Sequence, residues 1–347
     1  MSREALRLVC SALVLAGGLL ALSAGGCAAG PGRSFGAASS AAPLASWNAG
    51  GTRDSIESFV ARVTDPNGPD FVPEAERVAV FDNDGTLWAE QPVYVQLAFA
   101  IDRVKALAPS NPAWRETEPF ASVLRDDVRG LASQGEAAVA KLVSVTHAGM
   151  TPDEFRVIVN AWLETARHPK TGLRYDEMVY RPMVELLAYL RSSGFRTFIV
   201  SGGGVDFMRA FAERVYGVPP EQVIGSVGGL RLETRDGVPT LVKQPTLDFV
   251  DDKEGKPIAI ERSIGRRPIM GFGNSDGDLA MLAWTTAGSG PRFAAIVHHT
   301  DAEREWAYDR ASHVGRLDAA LDAARERGWT LIDMKRDWSS VLSPSRK

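Results

Sequence analysis

The sequence predicts an α/β fold: a doubly wound, mostly parallel sheet with an inserted helical cap. Three observations lead there. Short apolar runs at 78–81, 195–200 and 268–272 read as buried strands. Each run breaks off into turn-forming residues: Asp82-Asn83-Asp84-Gly85, Ser201-Gly202-Gly203-Gly204 and Gly273-Asn274-Ser275-Asp276-Gly277-Asp278. The stretches between them carry helical spacing of apolar residues. In open α/β sheets ligands gather outside the C-terminal ends of the strands, so these three polar segments are the candidate site.

The 347 residues suffice for one large α/β domain with an insert, or for two domains, and 45% hydrophobic with 24% charged residues is ordinary globular composition. A net charge of −4 without a basic block at the start of the fold excludes nucleic acid as a partner, because binding a phosphate backbone needs a clustered basic surface. No protein partner is implied. The two cysteines, Cys10 and Cys27, both lie near the N-terminus, so the fold has no disulfide, zinc–thiolate site or cysteine nucleophile.

Taken in order, residues 1–27 begin with Arg3 and Arg7. The apolar run Leu8 to Leu22 has signal-peptide length and is short for a membrane span. The small residues Ser23-Ala24-Gly25-Gly26 leading into Cys27 resemble a bacterial lipobox, with Ala24 where leucine is commoner. The resemblance implies that Cys27 becomes the lipid-modified N-terminus, anchoring the chain to a bilayer in the cell envelope. Ala28 after it implies, in a diderm bacterium, the periplasmic face of the outer membrane. Residues 28–53, rich in Gly, Ala, Ser and Pro, read as a flexible tether.

A core is expected over 54–91 and 181–335. It opens with a helix near Asp54 that places Ile56, Phe59 and Val60 on one face. The helical cap is expected over 92–180, with helical spacing in Val95–Leu107, Phe120–Leu131 and Ala137–Val145. Its clearest helix starts at Thr151-Pro152-Asp153-Glu154, an N-cap, a proline at the first helical position and the glutamate of a capping box. Arg181-Pro182 starts another helix, which Gly194 ends. Val223–Val242 reads as strand and hairpin turning at Arg235-Asp236-Gly237. A helix with Ile258, Ile260 and Ile264 follows, then a strand at Phe293–Val297. C-terminal helices with Trp306 and Leu317–Ala324 are expected to pack the sheet, and 336–347 is a basic-leaning tail.

Asp82 and Asp84 stand just past a strand end. Two such close carboxylates repel one another unless a cation lies between them, and a hard divalent ion such as Mg2+ prefers oxygen ligands. Asp82 can then attack an electrophile while Asp84 moves a proton. The Ser201–Gly204 run lets backbone approach an anion, with Ser201 adding a hydroxyl donor.

Asp82-Asn83-Asp84-Gly85-Thr86-Leu87 resembles the first motif of the haloacid-dehalogenase-like (HAD) hydrolases, and the later motifs resemble the phosphoserine-phosphatase-like branch. The resemblance covers roughly Val78 to Thr300 and implies the HAD-like Rossmannoid core. It makes Asp82 the nucleophile that becomes an aspartyl-phosphate, Asp84 the general acid/base, and Ser201 and Gly202 phosphate binders. It adds a motif lysine at Lys256, with Lys253 as the alternative. The fourth motif falls on Asn274 and Asp278, so the implied Mg2+ set is Asp82, Asp84, Asn274 and Asp278. Asn274 stands where the family has Asp, which removes one negative charge; Asp276 is the alternative source of it. Glu90 lies near where phosphoserine phosphatases carry an acid for a substrate amine.

The implied activity is Mg2+-dependent hydrolysis of small extracytoplasmic phosphomonoesters. A phosphotransferase of the same superfamily and a degenerate phosphate-ester-binding lipoprotein are the alternatives. His298 and His299, adjacent at a strand end, point to opposite faces and so do not share an ion.

Overall fold

A computed structural model describes residues 43–342. Cys27, the apolar run before it and residues 343–347 lie outside the described residues. Seven strands form one sheet: β1 (Val78–Phe81), β2 (Arg196–Gly204), β3 (Val223–Arg235), β4 (Val238–Phe249), β5 (Met270–Gly273), β6 (Phe293–His298) and β7 (Thr330–Asp333). Their order is β4-β3-β2-β1-β5-β6-β7, and every pairing is parallel except β3 with β4. The chain builds outward from β1 through β2 and β3, then crosses to β5 on the other side. The switch point therefore lies beside β1, where this topology opens a ligand crevice.

Alternation along the strands fills both faces of the sheet. Ala79, Phe81, Met270, Phe272, Ala295 and Val297 join the larger core, under the helices Gly51–Thr64 and Arg181–Ser192. Val78, Val80, Phe198, Val200, Ala294 and Ile296 join the second, under Gly255–Ile264, Leu279–Thr286 and Ala319–Arg327. Burial on both faces is why β1 reads as an unbroken apolar run.

The insert is helical as expected. Val104, Phe120, Val123, Leu131, Ala138 and Leu142 give it a small core of its own. Phe120–Leu131 is not one helix. Asp126 takes a left-handed φ of 56° and divides it into Phe120–Leu124 and Val128–Ser133. The Thr151 capping box forms, with Glu154 N donating to Thr151 Oγ1 at 3.1 Å and Thr151 N to Glu154 Oε2 at 2.7 Å. That helix, Pro152–Thr165, packs Phe155, Val159 and Leu163 into the main core rather than the insert's own. The hairpin turns where predicted, with positive φ at both Asp236 and Gly237, the requirement of a tight two-residue turn. Its second strand runs on to Phe249, and main-chain bonds Gly149 N to Lys243 O and Lys243 N to Met150 O, each 2.9 Å, tie this sheet edge to the insert.

Three sequence expectations need correction. The tether was expected to reach residue 53, but the fold starts by Leu44. Leu44 and Trp47 are buried, Trp47 Nε1 donates to Pro182 O at 2.9 Å, and Ser46 Oγ donates to Glu185 Oε1 at 2.8 Å. The tail from 336 likewise packs. Asp337, Trp338 and Val341 are buried, and Thr52 Oγ1 donates to Asp337 Oδ2 at 2.8 Å. Third, a strand, β7, replaces part of the expected helical C-terminus, and Trp306 stands in the loop before Ala319–Arg327. All three depend on partners between 135 and 285 residues distant or on sheet pairing, which local periodicity does not register. Among the described residues no helix is long and apolar enough to cross a membrane.

Candidate active site

The ends of β1, β2 and β5 meet at one edge of the sheet. Asp82 follows β1 and is 6% exposed, and its amide donates to Phe272 O at 2.9 Å. The turn after it folds around Asn83, whose carbonyl accepts from the amides of Thr86, Leu87 and Trp88 while its Oδ1 accepts from Tyr216 OH at 3.1 Å. Gly85 has a φ of 72°, and a Cβ there would fall 2.0 Å from Asn274 Nδ2 and 2.4 Å from Glu90 Oε1. Glycine is therefore demanded twice at this position, by conformation and by space.

Lys256, from the start of the helix Gly255–Ile264, is 2% exposed. Its ammonium donates to Asp82 Oδ1 and to Asp278 Oδ1, each at 2.6 Å. Lys253 is exposed with a φ of 52°, so the structure brings Lys256 to the site and leaves Lys253 outside. Asp278 is wholly buried. Its Oδ2 accepts from the amides of Asn274 at 2.9 Å and Ser275 at 3.1 Å. Through these bonds Asp278 positions Lys256 and the loop. Asp84 Oδ1 accepts from Trp88 Nε1 at 2.9 Å.

Ser201 ends the buried part of β2, its Oγ accepting from Gly203 N at 3.2 Å. Gly202 is exposed, and a Cβ on it would lie against Asp252. A Cβ on Gly203 would lie 3.4 Å from Ser201 Oγ and 3.8 Å from Asp84 Oδ2. Gly203 thus lines the site more closely than the predicted Gly202. Asn274 follows β5, its Oδ1 accepting from Thr86 Oγ1 at 3.2 Å and its Nδ2 donating to Glu90 Oε1 at 2.7 Å. Asp276 is turned away, capping the helix Ala319–Arg327 by accepting from the amides of Asp318 and Ala320, each at 2.9 Å.

The electrostatics follow from burial. Burial pushes Asp82 well above the usual carboxylate range, with Lys256 pulling it back. Burial raises Asp84, partly offset by hydrogen bonds from Trp88 and Asn83. Glu90 is driven well upward by burial, eased by the hydroxyl of Tyr308 and raised further by the charges of Asp84 and Asp82. Burial alone would lower Lys256, but Asp278 and Asp82 carry it above its ordinary value, so the ammonium stays charged.

Sequence reasoning missed four neighbours. Gln96, on the helix Val95–Leu107, accepts from Gly204 N at 2.7 Å and brings the insert to the site. Tyr308 OH donates to Glu90 Oε1 at 2.7 Å. His299 Nε2 donates to Gly85 O at 2.8 Å, since a carbonyl only accepts, while His298 turns toward Asp309. Asp251 is fully buried at the turn before Lys256, without a well-formed hydrogen bond on either oxygen, and burial lifts it to about 7 although Lys256 and the Ser201 main chain pull it back. An aspartate five residues before the motif lysine was the available signal for Asp251. Tyr308 and Gln96 carried none.

The family model described as haloacid dehalogenase-like hydrolase matches residues 79–283, more than half of the sequence. The chain belongs to that family. The HAD match runs from β1 into Leu279–Thr286 and so spans the ends of β1, β2 and β5 and Lys256. No curated protein is significantly similar to this chain. Among solved structures, a protein of unknown function from Bordetella pertussis Tohama I is 16% identical. It aligns over 75% of this chain and 99% of its own, with a TM-score of 0.48. A HAD family hydrolase from Salmonella enterica serovar Typhi is 14% identical over 76% of this chain and 69% of its own, with a TM-score of 0.40. A probable phosphoserine phosphatase from Vibrio cholerae is 13% identical over 66% and 58%, with a TM-score of 0.35.

Proposed function

We propose that this HAD hydrolase is a phosphatase of small phosphomonoesters that works through an aspartyl-phosphate, in the manner of phosphoserine phosphatases. The observation that carries the reading is the buried ammonium of Lys256 held between Asp82 and Asp278 at 2.6 Å from each, with Asp84 two residues beyond Asp82. Lys256 uses Oδ1 of Asp82 and leaves Oδ2 to attack phosphorus in line. Asp84, with its proton held more tightly than in an ordinary carboxylic acid, protonates the departing oxygen and then takes a proton from the water that cleaves the intermediate. Ser201 Oγ and the glycine backbone beside it receive the phosphoryl oxygens.

The donors fit a hard cation such as Mg2+: a carboxylate of Asp82, the main-chain carbonyl of Asp84 and the Asn274 side-chain oxygen. Among the described residues no three acids, histidines or cysteines are gathered to hold a metal, so this set depends on a carbonyl and an amide as well as on acids. When bound, the ion would offset the charge gathered on the phosphoryl group.

Asp82, Ser201, Lys256 and Asn274 are buried, while Asp84 is half-buried. The insert, which reaches the site through Gln96, would act as a cap over it. That favours small esters, and Cys27 would tether the enzyme to an envelope membrane where such esters are scavenged.

Phosphate release from a panel of phosphomonoesters, with and without Mg2+, tests the reading. Activity that needs Mg2+ and disappears in Asp82→Asn is expected. Near-normal turnover in a folded Asp82→Asn protein would sink it. Added glycerol separates hydrolysis from transfer, by whether a glycerol phosphate accumulates.

A further inference from the structure

The chain leaves the regular ladder after Ser201. Ser201 pairs with Gly225 and Gly204 with Ser226, so Gly202 and Gly203 bulge out of β2 where the phosphoryl oxygens would be received. A bulge takes main-chain N–H groups off the ladder, and side chains take them up here. Gly203 N donates to Ser201 Oγ at 3.2 Å. Gly204 N donates to Gln96 Oε1 at 2.7 Å, and Gln96 belongs to the insert. A Cβ on Gly203 would lie 3.4 Å from both Gln96 Oε1 and Ser201 Oγ and 3.8 Å from Asp84 Oδ2. The Gln96 amide therefore stands beside the groups that would meet the phosphoryl and the leaving oxygen.

A side-chain amide can sit either way round, and only its oxygen can serve Gly204 N. A chain of contacts within the insert fixes the choice. Thr146 Oγ1 has one hydrogen, and it lies toward Leu142 O at 2.7 Å and Val143 O at 3.2 Å. Thr146 Oγ1 therefore accepts from His147 Nδ1 at 2.9 Å, which leaves the lone pair on His147 Nε2. That nitrogen accepts from Gln96 Nε2 at 3.2 Å and so turns Gln96 Oε1 to Gly204. Phe99 and Phe155 wedge the imidazole, their ring centres 5.4 and 4.5 Å away. Burial, helped by the charges of Lys243 and Arg103, lowers His147 to about 3, so the ring stays neutral and keeps its lone pair.

We propose that Gln96 is the positioning residue by which the insert sets the phosphate-receiving loop, with Thr146 and His147 fixing the way its amide faces. The inference rests on the phosphatase reading above and names the side chain that couples the cap to the loop. Gln96 holds Gly204 N, and this keeps Gly203 against Ser201 in the shape that accepts a phosphoryl group. The loop meets the phosphoryl group and not the alcohol, so the contribution of Gln96 is the same for every ester.

Kinetics of the full chain on esters of several alcohols test this, with inorganic phosphate as competitive inhibitor. Gln96→Met keeps the length and removes both hydrogen bonds. It should lower kcat/KM by about tenfold, equally for all the esters, and raise the inhibition constant of phosphate in parallel. Gly204→Ala reaches the same state from the other side. Gly204 has φ −68° and ψ 127°, open to any residue, but the new Cβ would meet Gln96 Nε2 at 2.8 Å and push it off. It should match Gln96→Met, and the double variant should fall within about threefold of either single one. His147→Phe keeps a ring and removes the lone pair. It should cost about threefold in the parent protein and nothing further in Gln96→Met. Normal kinetics in Gln96→Met or in Gly204→Ala, or a loss confined to some alcohols, overturns the assignment while leaving the phosphatase reading intact. Without substrate, the ring nitrogen shifts of His147 should place its proton on Nδ1 from about pH 5 to 8, and a proton on Nε2 would overturn the orientation of Gln96. If the parent protein releases phosphate from no ester, the phosphatase reading fails and this inference with it.

Discussion

The loops on either side of Lys256 each bury an aspartate completely, and they treat it in opposite ways. After β5, Asp278 has its two oxygens met by Lys256 and by the amides of Asn274 and Ser275. After β4, Asp251 feels the charge of Lys256 and the Ser201 main chain but has no well-formed hydrogen bond on either oxygen, and burial raises it to about 7. Proximity to a cation is therefore not enough. The ammonium is already committed to Asp82 and Asp278, and a buried carboxylate without its own donors is better kept protonated. One loop stores a charge for chemistry, and the other stores a proton.

Removing the ammonium should abolish the contrast with the largest effect. Lys256→Met leaves Asp82 and Asp278 without their partner, and a stability loss of about 3–5 kcal/mol in urea titration is expected, together with loss of phosphatase activity. A loss under about 1 kcal/mol would mean that the lysine does not hold the two loops. Next, Asp84→Asn should slow turnover by about 10²–10⁴-fold, less for esters with good leaving groups. Equal losses for good and poor leaving groups would remove the proton from its role.

The third prediction concerns Asp251 alone. Its folded-state value lies above its ordinary one, so the protonated form favours folding. That contribution is complete below about pH 4, diminishes as pH rises, and is gone above about pH 7. Asp251→Asn should flatten this limb. It should raise stability at pH 8 by up to about 4 kcal/mol and leave it nearly unchanged at pH 4. An equal change at both pH values would show that Asp251 gains a partner in solution. The smallest effect belongs to a remote control: Thr151→Ala, losing the capping box, should cost about 1 kcal/mol. Its cost should be independent of pH between 6 and 8, unlike that of Asp251→Asn.

What was legible in the sequence was what is local. Val78–Phe81 ending in Asp82 and Asp84, the Thr151 capping box, the Asp236-Gly237 turn and Lys256 at a helix start each need only a handful of neighbouring residues, and the structure has them as read. The contact of Glu90 with Asn274 spans 184 positions, and no pattern near either residue announces it. The role of Asp278 behind Lys256 was blurred because spacing gives the order of a motif, not which oxygen meets which donor. β7 was missed because Thr330–Asp333 is an edge strand with only Ile332 fully buried, so it lacks the unbroken apolar run of the equally short β1.

The edge-to-face contact between Trp47 and Trp338 has a consequence for how the fold is completed. Trp47 meets the edge of Trp338, and Ser339 N donates to Ser46 O at 2.9 Å. The segment around Trp47 can settle on Pro182 and Glu185 once that helix forms, but its contact with Trp338 waits for the residues after the last strand. Contacts this distant in sequence form late, because loop closure must precede them. Until Trp338 docks, the side of Trp47 that it covers is left as exposed apolar surface.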